Sequence, residues 1–172
     1  MKLAEFIEKI FFPSNVTIIA GILVLFYTIS SPFILNNFVI LVTTITVYKI
    51  SLLFVKRKVK TNEFSIAAFI ALIVFLILAH FLTLSDEFLL GIIILFLLNT
   101  IHYSIRNFWK ISTHVMTYTA ICVYLTVIDF RFFFSFVLLP LVVWSRLKLK
   151  RHTSSQILAG FIIGLIIPFL VY

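Results

Sequence analysis

Long apolar runs separated by short polar breaks dominate the chain. A helix needs about 20 apolar residues to cross a bilayer core, with an accepted range of about 17 to 25. On that measure the sequence predicts seven helices, at approximately 15–30, 33–55, 64–82, 88–103, 112–128, 132–144 and 154–172. The first and the sixth are short, so we expect each to be tilted, extended by its flanks or partly re-entrant. Because the runs are continuous rather than alternating, they argue against strands.

The amino-terminal segment 1–12 has a different pattern, in which charged and apolar residues are mixed. Its charged positions are Lys2, Glu5, Glu8 and Lys9. This pattern is typical of a short amphipathic helix at the membrane surface, and Pro13 is expected to end it. The segment lacks the features of a cleavable signal peptide.

The composition supports a membrane location. Of the 172 residues, 63% are hydrophobic and 12% are charged, against roughly 25% charged in ordinary globular domains. Too few polar side chains remain to cover a soluble core. We therefore predict an all-α polytopic transmembrane bundle of six to seven spans, forming a single domain over 1–172. The lone cysteine, Cys122, excludes an intrachain disulfide and a cysteine-based metal site.

The basic residues lie in short segments between the apolar runs, which favours membrane topology over nucleic-acid binding. If all seven helices span, one side carries Arg131 with three acids. The other side carries Lys2, Lys9, Lys56, Arg57, Lys58, Lys60, Arg106, Lys110, Arg146, Lys148, Lys150 and Arg151. The positive-inside rule places that second side in the cytoplasm of a cell-membrane protein. Removing one crossing near the amino terminus would reverse this assignment.

One basic segment on that side leads into the fifth predicted helix. Ser112 and Thr113 fall where the helix begins, so its free backbone N–H groups and its dipole form an anion site. Arg106 adds a bidentate guanidinium and Lys110 adds a point charge. His114 projects from the first turn, within reach of a bound anion. The segment therefore predicts a phosphate-binding site.

A second basic segment joins the sixth and seventh predicted helices. Arg146 ends one helix and His152 opens the next, so a short loop brings a guanidinium and an imidazole together. Gln156 follows His152 by four residues on the same helical face. Its side-chain carbonyl can accept the imidazole Nδ1–H and leave the Nε2 lone pair free to attack. Lys148, Lys150 and Arg151 are better explained as contacts to lipid headgroups.

These residues resemble the signatures of the type 2 phosphatidic acid phosphatase (PAP2) superfamily, K-x6-R-P, P-S-G-H and S-R-x5-H-x3-D. Ser145-Arg146, His152 and Gln156 match the third signature except at its last position, where the family has Asp. Residues 111–114 match the second at Ser112 and His114. The resemblance extends over approximately 106–172, which we expect to be the catalytic core.

The first signature is absent, because the chain contains no Arg-Pro pair. We expect Arg106 and Lys110 to substitute for its two cations.

The resemblance implies hydrolysis of a lipid or isoprenoid phosphate or diphosphate at the membrane–water interface. His152 would be the nucleophile that becomes phosphohistidine, and His114 the general acid. Arg146 and Ser112 would hold phosphate oxygens, and no metal or other cofactor is implied. Gln156 can orient His152 but cannot stabilise its cation; a comparable loss of charge in a serine protease triad lowers turnover about 10⁴-fold.

Two alternatives remain open. One is a non-catalytic PAP2-like protein that binds phosphorylated or anionic lipids, for which Gln156 is the main argument. The other is a small transporter, which needs a polar path that the scarcity of charges within the helices does not favour. In each case the expected partners are lipids and the bilayer, without nucleic acid. The sequence leaves the oligomeric state open.

Overall fold

The computed structural model describes residues 2–58, 63–106 and 108–172, and side chains within them except at 55–58 and 63–65. The cations of 56–60 therefore lie outside the described side chains. The described chain is all-α, as the continuous apolar runs predict. Its elements are α1 (Lys2–Ile10), α2 (Pro13–Tyr27), α3 (Ile34–Lys58), α4 (Glu63–Phe81), α5 (Asp86–Ile105), α6 (Thr113–Ile128), a 3₁₀ helix (Phe130–Leu138), α7 (Leu139–Lys148) and α8 (Ser154–Val171).

Each of the seven predicted segments overlaps described helical structure, and the chain is a polytopic membrane protein. Four described segments have the length and hydropathy of a membrane span: Ile34–Phe54, Asp86–Ile105, Phe130–Lys148 and Ser154–Val171. Helices α1 and α2, bent by 47° at their junction, together meet the same criteria and would make a fifth span. The apolar stretches Ile66–Phe81 and Thr113–Ile128 are shorter.

The predicted amino-terminal helix is present as α1, which ends at Ile10, two residues before the predicted end. Pro13 cannot donate a backbone N–H, and it occupies the first position of α2, where that donor is not needed. The turn between the helices is held by Asn15, whose Nδ2 donates to the Lys9 carbonyl at 2.8 Å. Ala4 and Ile7 form the buried face of α1, which packs against α7.

The sixth predicted segment differs from expectation, because its first half is a 3₁₀ helix. Pro140 lies in the first turn of α7. A proline ring there would clash with the carbonyl four residues earlier in a continuous α-helix, so the regular helix begins only at Leu139. Three residues per turn align Phe130, Phe133 and Phe136. Both ring pairs along this row have centroids 5.6 Å apart.

The chain divides into two compact units. One comprises Met1–Ala20 with Ile93–Tyr172, and the other comprises Gly21–Ile92. In the second unit α3 packs along α4. The Asn37 side chain there donates to Ser85 Oγ at 3.0 Å and accepts from the Ser85 backbone N–H at 3.3 Å. The first unit contains every residue that the sequence predicts to carry chemistry.

Helix α6 is the centre of the first unit and is buried from His114 to Leu125. Its closest neighbour is α8, which approaches through Gly160 and Gly164. A Cβ added at Gly160 would lie 2.7 Å from the Ser112 carbonyl oxygen, so only glycine permits this separation. Small residues commonly allow such close packing between membrane helices. The contact fixes the start of α6 against the first turns of α8.

Candidate active site

The loop between α7 and α8 is a compact turn that sets the spacing of Arg146 and His152. The Arg151 N–H donates to the Arg146 carbonyl at 3.1 Å, and the Lys150 N–H donates to the Leu147 carbonyl at 3.0 Å. These two bonds form a Schellman motif. Lys150 takes the left-handed position at φ 52°, where glycine is usual. The last turn of α7 is thereby folded back so that His152 directly precedes α8.

The start of α8 is closed by a capping box. Thr153 Oγ1 accepts from the Gln156 N–H at 3.4 Å, and Gln156 Oε1 accepts from the Thr153 N–H at 3.1 Å. These bonds satisfy donors that a helix start otherwise leaves free. The signature Thr153-x-x-Gln156 is visible in the sequence and predicts this second role for Gln156.

Two hydrogen bonds join the segments that resemble the PAP2 signatures. The Ser112 N–H donates to the Gln156 backbone carbonyl at 3.2 Å. His152 Nδ1 lies 3.3 Å from the Lys110 carbonyl oxygen. A carbonyl can only accept, so this contact requires a proton on Nδ1 and leaves the lone pair on Nε2. The starts of α6 and α8 are thus held side by side.

The structure gives His152 an acceptor that the sequence does not predict, the Lys110 backbone carbonyl. The sequence predicts that Gln156 Oε1 accepts from Nδ1–H. In the structure, Gln156 Oε1 accepts from the Thr153 N–H. The Gln156 side chain still interacts with the imidazole, because its hydrogen bond acts to raise the pKa of His152.

Buried polar atoms without a hydrogen-bond partner concentrate in three of the predicted site residues. Ser112 Oγ, both ring nitrogens of His114, and Nε and Nη1 of Arg146 are all buried and unpaired. They are five of the eight such atoms in the described part of the chain. An unsatisfied buried group typically costs about 1–3 kcal/mol. Apart from one imidazole nitrogen all can donate, so together they suit a ligand rich in acceptor oxygens.

The charged and histidine side chains of this region are close enough to influence one another. Arg146 and His152 both act electrostatically on His114. Arg106 and His152 act in the same way on His102 in α5. The Lys110 side chain is exposed, and Thr113, the first residue of α6, is half-buried. The structure therefore brings the two predicted segments together, and it adds His102 to their surroundings.

The region is predominantly basic, and this affects His152, which lies between two candidate spans. Burial lowers the pKa of His152, and the positive charge of Arg146 lowers that pKa further. The hydrogen bond to the Lys110 carbonyl opposes both effects without reversing them. Burial and the charge of Arg146 thus favour the neutral form of His152, which is the form needed of a nucleophile. Within the described ranges, no group of three His, Cys, Asp or Glu side chains is placed to hold a metal ion.

The amino-terminal segment contributes two residues that the sequence does not predict, one in α1 and one just before α2. Arg146 Nη2 lies 2.8 Å from Glu8 Oε1, with side-chain exposures of 4% and 21%. Arg151 Nε is more distant from the same oxygen, at 3.7 Å. The Phe12 ring packs edge-on against His114, with centroids 5.4 Å apart. The only sequence signal for Glu8 is its position one turn after Ala4 on the buried face of α1.

Comparison with known proteins identifies the same part of the chain. Residues 99–172 match the family model of the PAP2 superfamily. No curated protein and no solved structure gives a significant match. The matched segment contains the described site residues from α5 to α8, whereas Glu8 and Phe12 lie outside it. The segment 99–172 is therefore similar to the PAP2 superfamily, as the residues resembling its second and third signatures predict.

Proposed function

We propose that this protein is a PAP2-type phosphatase that hydrolyses a membrane lipid or isoprenoid phosphate or diphosphate through a phosphohistidine. The match of residues 99–172 to a phosphatase superfamily supports the reaction class. The observation that carries the proposal is the set of unpaired buried atoms on Ser112, His114 and Arg146. Phosphate offers several acceptor oxygens and negative charge, which match this set of donors.

In the first step, His152 Nε2 attacks phosphorus. The new P–N bond forms as the ester P–O bond breaks. His114 takes up a proton when the negatively charged phosphate binds beside it, and it gives that proton to the departing alcohol. The Lys110 carbonyl holds Nδ1–H and keeps Nε2 directed outward. Arg146, Ser112 and the free N–H groups at the start of α6 stabilise charge on the equatorial oxygens.

In the second step, water attacks the phosphohistidine. His114, now neutral, accepts the proton from the water, and the P–N bond breaks to release phosphate and regenerate His152. The same residue thus acts as acid and then as base. With Gln156 in place of Asp, no carboxylate contacts His152 to stabilise its cationic form. We therefore expect slow turnover.

The surroundings of the site support the proposed substrate class. The site lies at one end of α6, α7 and α8, where apolar helices meet a polar loop. A substrate with a phosphate headgroup and a hydrocarbon tail can place the phosphate at the polar loop and the tail along the apolar helices. We further propose that the site faces the cytoplasm, which holds if all seven helices cross. Cysteine labelling of the α7–α8 loop in intact and permeabilised cells tests the sidedness.

Activity measurements test the proposal directly. Purified protein is incubated with lipid and isoprenoid phosphates, and phosphate release is compared with that of His152→Ala. His80→Ala, which removes a histidine outside the matched segment, is the matched control. We expect His152→Ala to abolish release and His80→Ala to leave it unchanged. Phosphate release that survives His152→Ala would contradict the assignment.

One observation favours a second candidate, a non-catalytic PAP2-like protein that binds phosphorylated or anionic lipids. Gln156 replaces the family's Asp, and its Oε1 is engaged in the capping box. Saturable binding of a lipid phosphate to the wild type, without phosphate release and without a phosphorylated intermediate, would support this candidate over the enzyme.

A further inference from the structure

Among the described residues, the buried guanidinium of Arg146 has one ionic partner, Glu8, and that partner lies outside the segment 99–172. We propose that Glu8 is a positioning residue, which holds Arg146 for phosphate binding and gives the buried guanidinium its counter-charge. This inference rests on the proposed function. It adds a residue from α1 to the site.

The geometry divides the donors of Arg146 between two tasks. Glu8 Oε1 contacts Nη2 at 2.8 Å, whereas Nε and Nη1 have no partner. A guanidinium is planar and rigid, so fixing one nitrogen limits the directions of the other two. A buried cation without a counterion is costly, and a contact with a carboxylate offsets part of that cost. Glu8 thereby keeps Arg146 buried while leaving donors available.

The charge distribution makes Glu8 distinctive. Between residues 99 and 172 the sequence has one acidic residue, Asp129. That carboxylate pairs with Arg131 through a 2.6 Å contact at the far end of α6. The PAP2 signature places its Asp beside the nucleophile, but this chain has Gln156 there. Glu8 instead brings a carboxylate to Arg146, so negative charge enters the site through the arginine rather than through the histidine.

Contacts on both sides of Glu8 hold it in place independently of the ion pair. Ala4 and Ile7 are buried in the packing of α1 on α7. Phe11 packs edge-on against Tyr118, with centroids 5.2 Å apart, and Phe12 makes the similar contact with His114. The carboxylate is therefore presented by a packed helix. A fixed carboxylate can orient Arg146, which a mobile one cannot do.

The test compares Glu8→Gln and Glu8→Ala with Glu5→Gln, a matched loss of an exposed carboxylate from the same helix. The measurements are kcat and KM for a lipid phosphate, the Kd for inorganic phosphate, and thermal unfolding. Glu8→Gln keeps an oxygen acceptor but loses its charge. We expect phosphate to bind about 3–10-fold more tightly, since repulsion between anions is removed. We expect kcat to fall about 3-fold or more, because the Arg146 guanidinium is held less firmly.

Glu8→Ala removes the acceptor as well, and we expect its kcat to fall about 10-fold or more. Added formate can occupy the space of the missing carboxylate and should restore part of the lost kcat. Rescue by formate separates positioning from a loss of folding, because a misfolded variant does not respond. Glu5→Gln should match the wild type in every measurement.

Two results would overturn the proposal. One is that Glu8→Gln and Glu8→Ala equal Glu5→Gln in kcat, KM and phosphate affinity. The other is that the Glu8 variants raise kcat, which would make the carboxylate an obstruction. If the proposed function is wrong, the wild type releases no phosphate, which is a separate result. The Kd for inorganic phosphate can then still be compared between Glu8→Gln and Glu5→Gln. A difference between these two values shows that Glu8 controls the charge of the site.

Discussion

Two groups of buried polar side chains, one in each compact unit, have opposite surroundings. In the unit Gly21–Ile92, Asn37 and Ser85 are buried and bond to each other in both directions. In the other unit, Ser112, His114 and Arg146 are equally buried, but most of their polar atoms have no partner. Proteins generally pair buried polar groups, because leaving them unpaired lowers stability. The difference indicates that Asn37 serves the fold, whereas the second group is arranged to bind a ligand.

The largest expected difference is between two alanine variants, one from the unpaired group and one from the paired group. Ser112→Ala should lower kcat/KM about 10–100-fold, because it removes a donor to phosphate. Its free energy of unfolding should stay the same or rise by up to about 1 kcal/mol, since an unpaired buried hydroxyl is lost. Asn37→Ala should instead lower the free energy of unfolding by about 1–3 kcal/mol with kcat unchanged. Thermal unfolding and phosphate release check both variants.

The comparison would be wrong if Ser112→Ala affected stability rather than activity. A Ser112→Ala variant with wild-type activity and clearly reduced stability would identify Ser112 as a structural residue.

A second, smaller effect concerns Gln156. Gln156→Glu keeps the length of the side chain and the capping box, and it adds a negative charge beside His152. We expect kcat to rise about 10-fold, because the carboxylate stabilises the imidazolium. It should also raise the pKa of His152. Activity requires neutral His152, and the neutral form becomes protonated as pH falls through its pKa. A raised pKa should therefore move the acidic limb of the pH–kcat/KM profile to higher pH.

Ser154→Glu is the control for this prediction, since it adds the same charge at an exposed position in the first turn of α8. It should leave both kcat and the acidic limb unchanged. If both glutamates shift the profile equally, the effect of Gln156→Glu arises from general charge rather than from contact with His152.

The smallest effect should come from the turn that spaces Arg146 and His152. Lys150 has φ 52°, which glycine adopts without steric cost. Lys150→Gly should therefore raise the free energy of unfolding by about 0.5–1 kcal/mol, with activity unchanged. Lys148→Gly, within α7, should lower it by about 1 kcal/mol. Denaturation monitored by circular dichroism measures both; equal effects of the two glycines would argue against the Schellman turn.

The sequence predicts the helices well, because bilayer thickness imposes a length that apolar runs reveal directly. It does less well at the sixth segment, where the effect of Pro140 on the preceding turn depends on local geometry. The close approach of Gly160 to Ser112 is also beyond sequence reasoning. A glycine within a helix has several explanations, and only packing distinguishes among them.

Some parts of the candidate site are also predictable from the sequence, whereas others are not. The spacing of Arg146 and His152 predicts that they lie together, since a short loop joins them. The contact between the Lys110 carbonyl and His152 is not predictable, because every residue type has a backbone acceptor. Glu8 is separated from Arg146 by most of the chain, so only the packing of α1 on α7 reveals that they meet. The sequence thus predicts local parts of the site better than contacts between distant segments.

The most direct test of the central claim is to trap the phosphoenzyme. The protein is mixed with a ³²P-labelled lipid phosphate and quenched in base, where phosphohistidine survives, and the labelled peptide is sequenced. The account predicts label on His152, none in His152→Ala, and more in His114→Ala if the intermediate is made but hydrolysed slowly. Phosphate release with label on another residue, or release without label in both the wild type and His114→Ala, would contradict it.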